Sequence, residues 1–223
     1  MTSAALDGLL DRFLLAGGEF ERTLRSVRPG QWTLPTPCTD WNVRQLVNHM
    51  ARGNLNHHLL LTGGGRAEFL RLRDADALGD SPVAAYTASV RRLADAYGQS
   101  DALCRILDHP LGPLTGRQAL AVRTADSTVH TWDLATALGL DDTLHPALVD
   151  WLHEHLDAVY AGLPETPVDP GSTHRYFAAP PGEPAEAPSR QARLLRTMGR
   201  SPKPHRTPPG SPPAFTPRRG LAQ

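Results

Sequence analysis

The stretch Asp126-Ser127-Thr128-Val129-His130-Thr131-Trp132-Asp133-Leu134-Ala135 lies inside an apolar, helix-compatible run over residues 118–138. An α-helix turns by about 100° per residue, so Asp126 and His130 fall one turn apart on one face. Asp133 follows at i+7 on the same stripe. A carboxylate and an imidazole at this spacing can reach a common cation, as in other helical metal sites. Two donors do not make a site, so the rest of the chain is read for a third and for what would carry it. Trp132 projects at a different angle from His130 and is expected to pack against a neighbouring helix.

Upstream, the periodicity predicts a helix over residues 2–27, with Leu6, Leu9, Leu10, Phe13, Leu14, Phe20 and Leu24 recurring at helical spacing and Gly17-Gly18 weakening its middle. Arg28-Pro29-Gly30 stops it, and the proline-restrained segment 31–38 leads into a second helix. That helix is expected to start at a Thr39 or Asp40 cap and to run to about residue 61. Its inward stripe is Val43, Leu46, Val47 and Met50. His49 lies beside this stripe and can point inward, either as a ligand or as a hydrogen-bonded core residue. His57 and His58, near the helix end, read as solvated positions or dipole contacts.

Gly63-Gly64-Gly65 has no preceding strand and no following Gly-Lys-Ser/Thr, so it reads as a flexible connection and not as a phosphate loop. A loop or short helix is expected up to residue 79. Ser81-Pro82 opens a third helix, and residues 101–116 suggest a short extended segment and turn. The fourth helix, which holds the Asp126–His130 pair, should end at Gly139, and a fifth should span residues 146–163 with His153 and His155 structural. Residues 164–189 turn rich in Pro, Ala and Gly, with a short strand expected at His174-Arg175-Tyr176-Phe177 and an amphipathic piece over 190–198. From 203 onward the chain is basic and Pro-rich, and disorder is expected. The domain reading is therefore a helical bundle over 1–163, a short segment over 164–202 packing on it, and a tail over 203–223.

The totals narrow the function. The chain has 223 residues, equal numbers of basic and acidic residues, and Lys203 as its only lysine. Neutral charge gives no reason to expect nucleic acid or a membrane as partner. No apolar stretch of spanning length and no leader pattern is present, so a cytoplasmic protein is expected. Cys38 and Cys104 are then expected to be reduced. Cys38 precedes a helix N-terminus and is the more reactive candidate of the two, with a packed, inert thiol as the plain alternative.

Helices with inward polar residues from the second and fourth members are a common way to hold a metal in a bundle. The predicted fold class is therefore all-α, an up-down four-helix bundle with a fifth helix and a short irregular C-terminal segment. At this point the segment Trp32…Pro35-Thr36-Pro37-Cys38-Thr39-Asp40-Trp41-Asn42-Val43-Arg44-Gln45-Leu46-Val47-Asn48-His49 resembles the N-terminal signature of the DinB-like metal-binding superfamily. More narrowly, it resembles the branch related to mycothiol-dependent maleylpyruvate isomerase. The segment 125–135 resembles that branch's second motif, and Arg193-Leu194-Leu195…Met198-Gly199-Arg200-Ser201-Pro202 its closing one.

The resemblance implies a metal held by a histidine of the second helix and an acid-x-x-x-His pair of the fourth. In this chain these are His49, Asp126 and His130. Two imidazoles and one carboxylate suit Zn²⁺, with Ni²⁺ or Fe²⁺ also compatible, and leave a coordination position open. The resemblance further implies mycothiol as co-substrate, its thiol held as thiolate, and a small electrophile as the other reactant; the expected assembly is left open between monomer and homodimer. The chain departs from the branch in carrying Asp126 where glutamate is usual, and a short Pro-rich segment where the isomerases have a substantial C-terminal domain. Asp133 is a second candidate for the carboxylate ligand, or a partner for the ring N–H of a ligating histidine; an ion pair with an arginine is the plain alternative. The two functional expectations are a thiol-dependent isomerase or transferase and a non-enzymatic metal-binding module.

Overall fold

Four long helices carry the fold: α1 (Leu9–Leu24), α2 (Val43–Leu61), α4 (Pro82–Tyr97) and α5 (Gly116–Leu138). The computed structural model describes residues 8–163 and 189–202. A short α3 (Arg66–Leu72) and a hairpin of β1 (Ile106–His109) and β2 (Gly112–Thr115) lie between them, followed by α6 (Pro146–Val159) and α7 (Arg190–Thr197). The all-α class is as predicted, and the fourth predicted helix is α5. The expected strand at 174–177 and the tail beyond 202 lie outside the described residues.

Around the bundle the order is α1, α5, α2, α4, so α5 packs on both α1 and α2. Leu9, Phe13, Phe20 and Leu24 of α1 are buried, and the Phe20 ring lies 4.8 Å from that of Tyr86 on α4. The Gly17 that looked like a weak point in α1 is a point of close approach. A Cβ there would stand 3.0 Å from Val90 Cγ1, and the Tyr86 hydroxyl donates to the Gly17 carbonyl at 3.3 Å. Helix α5 is buried over most of its length although it is rich in polar residues. Its threonines are satisfied within the helix: the hydroxyls of Thr124, Thr128 and Thr131 donate to the carbonyls of Leu120, Thr124 and Ser127 at 2.9, 2.8 and 2.8 Å. Gly139, at φ 66°, ends α5 as expected.

The start of α2 differs from the sequence reading. Asn42, and neither Thr39 nor Asp40, is the N-cap: its side chain accepts from the Gln45 N–H at 2.9 Å, while the Gln45 side chain accepts from the Asn42 N–H at 2.9 Å. Residues 35–42 are folded into a loop before the helix begins. The Thr36 N–H donates to the Trp41 carbonyl at 3.2 Å and the Trp41 N–H to the Cys38 carbonyl at 2.8 Å. The loop brings Cys38 and Trp41 back over the first turns of α2. The extended piece expected within 101–116 is the β1–β2 hairpin, paired from Ile106↔Thr115 to His109↔Gly112. It turns His109 inward, to 5% exposure. The last described segment, α7, packs on α6. Among the described residues, no helix is long and apolar enough to cross a membrane.

Because the Asn42–Gln45 box fixes where α2 starts, and so the register that carries His49, Asn42→Ala should cost about 1 kcal/mol of stability in urea unfolding. A change within error would mean that the loop over residues 35–42 holds the helix start without the cap.

Candidate metal centre

His49 of α2 and Asp126 and His130 of α5 meet in the bundle. His49 Nε2 is 3.2 Å from Asp126 Oδ2, and His130 Nε2 is 3.2 Å from Asp126 Oδ1. These are ordinary ion-pair and hydrogen-bond distances, and they are also close to the roughly 3.3 Å between two donors bound at about 2.0–2.1 Å to a tetrahedral cation. One ligand atom from each residue falls within 4.8 Å of the others. The residues fit a divalent cation on these donor positions.

Each donor is held by a different neighbour. The His49 ring stacks on Trp41 at 4.4 Å between centroids, so the loop before α2 sets its plane. His130 is oriented by Asp133, whose Oδ2 lies 2.8 Å from His130 Nδ1. The ring therefore donates Nδ1–H to a buried carboxylate and turns Nε2 toward Asp126, the usual way a ligating imidazole is fixed. Asp133 is itself held by Arg200, which follows α7: Nη2 donates to Oδ2 at 2.7 Å and Nε to Oδ1 at 3.3 Å. Both expectations for Asp133, ring partner and arginine ion pair, coexist in one carboxylate. Cys38, Asp133 and His130 also converge. A guanidinium borders each group: Arg200 Nη2 sits 3.3 Å from Cys38 Sγ, and Arg123 pairs with Asp126 Oδ2.

Asp126 has a further partner that the sequence reading did not single out. Arg123, 3% exposed, pairs with Asp126 Oδ2 and donates Nη2–H to Asn54 Oδ1 at 3.0 Å and to the Met50 carbonyl at 3.2 Å. The guanidinium lies flat against α2 because residue 53 is glycine: a Cβ there would stand 2.7 Å from Arg123 Nη1 and 2.9 Å from Cζ. The signal was present in the sequence, as an arginine three residues before Asp126 and so on the same face of the helix.

The charge states follow from burial and neighbours. Burial would raise the Asp126 carboxyl, but His130, Arg123 and His49 outweigh it and hold it well below the usual range. For His130, burial opposes the charged form, and the carboxylates of Asp126 and Asp133 override it, so its pKa lies well above the ordinary imidazole value. Burial brings His49 down to about 4 despite Asp126. Without a metal the centre is thus a neutral His49 and a charged His130 around one carboxylate. A cation on these donors would compete with the proton on His130.

The centre opens into a cavity of about 500 Å³, within the range of small-molecule sites. Its walls include Cys38, Trp41 and Arg200 at one end, and His57, Phe69 and His109 at the other. His57 corrects the sequence reading: it is 4% exposed, because α3 and the hairpin cover that part of α2 with Phe69 and His109. Its neighbour His58 is on the outer side, where its Nε2 accepts from Arg92 at 3.3 Å. A larger groove of about 1120 Å³ between α2 and α4 contains none of the three donors.

This combination is a helical bundle with a half-buried two-histidine, one-carboxylate cluster and an adjoining cavity. The family described as the mycothiol maleylpyruvate isomerase N-terminal domain matches residues 13–135, and the chain belongs to that family. Two uncharacterized proteins of Mycobacterium tuberculosis, from strains CDC 1551 / Oshkosh and ATCC 25618 / H37Rv, are each 30% identical to it over 129 residues. The matched region is 58% of this chain and spans 66% of each relative's length. The fold is similar to the crystal structure of the mycothiol-dependent maleylpyruvate isomerase, with TM-score 0.53, 18% identity, and 66% of this chain and 68% of that one covered. It is equally similar, at TM-score 0.53 and 17% identity, to a histidine-to-alanine mutant of that enzyme.

Two predictions follow from this geometry. Gly53→Ala should lower the melting temperature despite the better helix propensity of alanine. Displacing the pinned Arg123 costs about 1–3 kcal/mol against a gain of roughly 1. An unchanged or higher melting temperature would show that Arg123 relocates freely. The second concerns His109, which burial brings to about 4, whereas the unfolded imidazole titrates near 6.5. Between these values the unfolded chain binds the extra proton, so stability is full above the upper one and is lost as pH falls toward the lower. His109 alone should remove about 2 kcal/mol between pH 7 and 5, and His109→Gln should make the urea-midpoint profile shallower by that amount over the window, with His49 and His57 still contributing. Parallel profiles for the two proteins would refute the assignment.

Proposed function

We propose that the chain binds one divalent cation through His49, Asp126 and His130, and that it acts as a mycothiol-dependent isomerase or transferase on a small electrophile. The observation that supports this reading is the convergence of three possible donors, within 4.8 Å of one another, beside a cavity of about 500 Å³. Zn²⁺ is the first assignment from the donor chemistry, with Ni²⁺ and Fe²⁺ accepted by the same set. A dication there supplies the field that turns a thiol into thiolate at neutral pH.

The chain's own residues do the rest. Asp133 holds His130 with Nε2 inward, Arg123 keeps Asp126 ionised, and Trp41 fixes the His49 ring. Arg52, Arg73 and Arg200 are among the residues lining the cavity, and their positive charge favours an anionic electrophile. Cys38 is packed against Asp133 and Arg200, and the thiol chemistry does not require it.

Metal analysis of the purified full chain should find about one divalent ion per chain, lost in His49→Ala and His130→Ala. The loaded protein should consume mycothiol with at least one member of a panel of unsaturated or halogenated acids. Full metal occupancy with no turnover on any electrophile would replace the enzyme by a non-enzymatic metal-binding module. Failure to bind a metal at all would overturn both.

A further inference from the structure

The far end of the cavity carries polar groups that the metal centre does not use. His57 Nδ1 donates to the Gly53 carbonyl at 2.9 Å, which fixes the ring. Burial, with His109 and Arg123 adding to it, pushes the His57 pKa well below the ordinary value, so the ring is neutral and Nε2 is a bare acceptor. That Nε2 is buried in the cavity wall and has no hydrogen-bond partner. Asn56 presents a second orphan acceptor: its Nδ2 donates to the Phe69 carbonyl at 3.4 Å, while its Oδ1 is buried and unpaired. His109 has the opposite tautomer. Its Nδ1 accepts from the Leu111 N–H at 3.2 Å, so the proton of its neutral ring is on Nε2. The two imidazoles are 5.3 Å apart between centroids, and the Phe69 ring stands 5.2 Å from His109.

We infer that the His57–His109–Asn56 end of the cavity is a subsite for an uncharged, hydroxyl-bearing segment of the thiol substrate. This rests on the function proposed above. Two unpaired acceptors repel a carboxylate, and the nearby Arg123 opposes an ammonium group. A hydroxyl satisfies both tautomers at once, donating to His57 Nε2 and accepting from His109 Nε2–H. Phe69 offers an apolar face to the carbon side of a sugar-like ring. His49 and His57 are eight residues apart on α2, so about 12 Å separates the metal centre from the subsite. Only a thiol carried on a body of that length reaches both; mycothiol, a thiol on a sugar body, meets the requirement, and N-acetylcysteine does not.

The test is calorimetric titration of the metal-loaded full chain with mycothiol and with N-acetylcysteine. Wild type should bind mycothiol at least tenfold more tightly. His57→Leu and His109→Leu should each weaken mycothiol about tenfold and leave N-acetylcysteine unchanged, while His57→Gln, which keeps an acceptor near the Nε2 position, stays within about threefold of wild type. Melting temperatures identify any variant that fails to fold, and the remaining ones decide the result. Unchanged mycothiol affinity in the folded leucine variants, or equal weakening of both thiols, overturns the subsite.

Cobalt-substituted protein separates this from failure of the underlying function. A thiolate-to-cobalt absorption band with either thiol reports sulfur at the metal independently of the subsite. If neither thiol gives the band, the thiol reading fails and the subsite is judged on methyl α-D-glucoside alone. A saturation-transfer signal in wild type that is lost in His57→Leu then supports a hydroxyl site, and no signal in wild type overturns it.

Discussion

The carboxylate of Asp126 is an ionised group inside a helical bundle, and much of the structure serves to keep it satisfied. Its two oxygens are shared among Arg123, His49 and His130, from two helices. A second carboxylate, Asp133, stands behind His130, and Arg200 behind that. The side chains form a row of alternating charge, Arg123, Asp126, His130, Asp133, Arg200, running from the middle of α5 to the segment after α7. Removing any inner member leaves a buried charge without its partner, which costs several kcal/mol.

Such a row is weak support for stability, since well-packed apolar side chains would do as well or better in the same volume. Helix α5 is buried on nearly all sides, and a helix in that position selected only for packing would be apolar throughout. Its threonines are neutralised locally by their own backbone carbonyls, so they add little beyond volume. Arg123, Asp126, His130 and Asp133 are different, because each depends on a partner outside its own turn or on another member of the row. Perturbed, mutually dependent groups beside a cavity are the pattern expected of a working site.

The long helices, the stop at Gly139 and the extended piece within 101–116 were legible because each depends on local periodicity or a single residue's backbone preference. His49 was legible as an inward-facing position, but the periodicity alone left it between ligand and core residue; the resemblance to a metal-binding family supplied the pairing with Asp126 and His130. The cap of α2 was displaced to Asn42 because the loop over 35–42 bonds to itself first, a contact between residues that no helix pattern describes. His57 was misread for a related reason. Period along one helix tells which face a residue is on, not which element covers that face, and here α3 and the hairpin do. Cys38 and Arg200 are far apart in sequence and meet at Asp133 only through the folded path of both ends of the chain.

The alternating row also bears on what the site can accept. With His130 protonated, the three cationic side chains exceed the two carboxylates by one charge. A dication in place of the His130 proton raises that excess further, in a pocket where burial makes uncompensated charge expensive. An anion arriving beside the three donors lowers the sum, and a thiolate does so with a soft donor suited to the metals that two imidazoles and a carboxylate select. At the far end of the cavity burial keeps the imidazoles of His57 and His109 neutral, so that end offers hydrogen bonds and shape in place of charge.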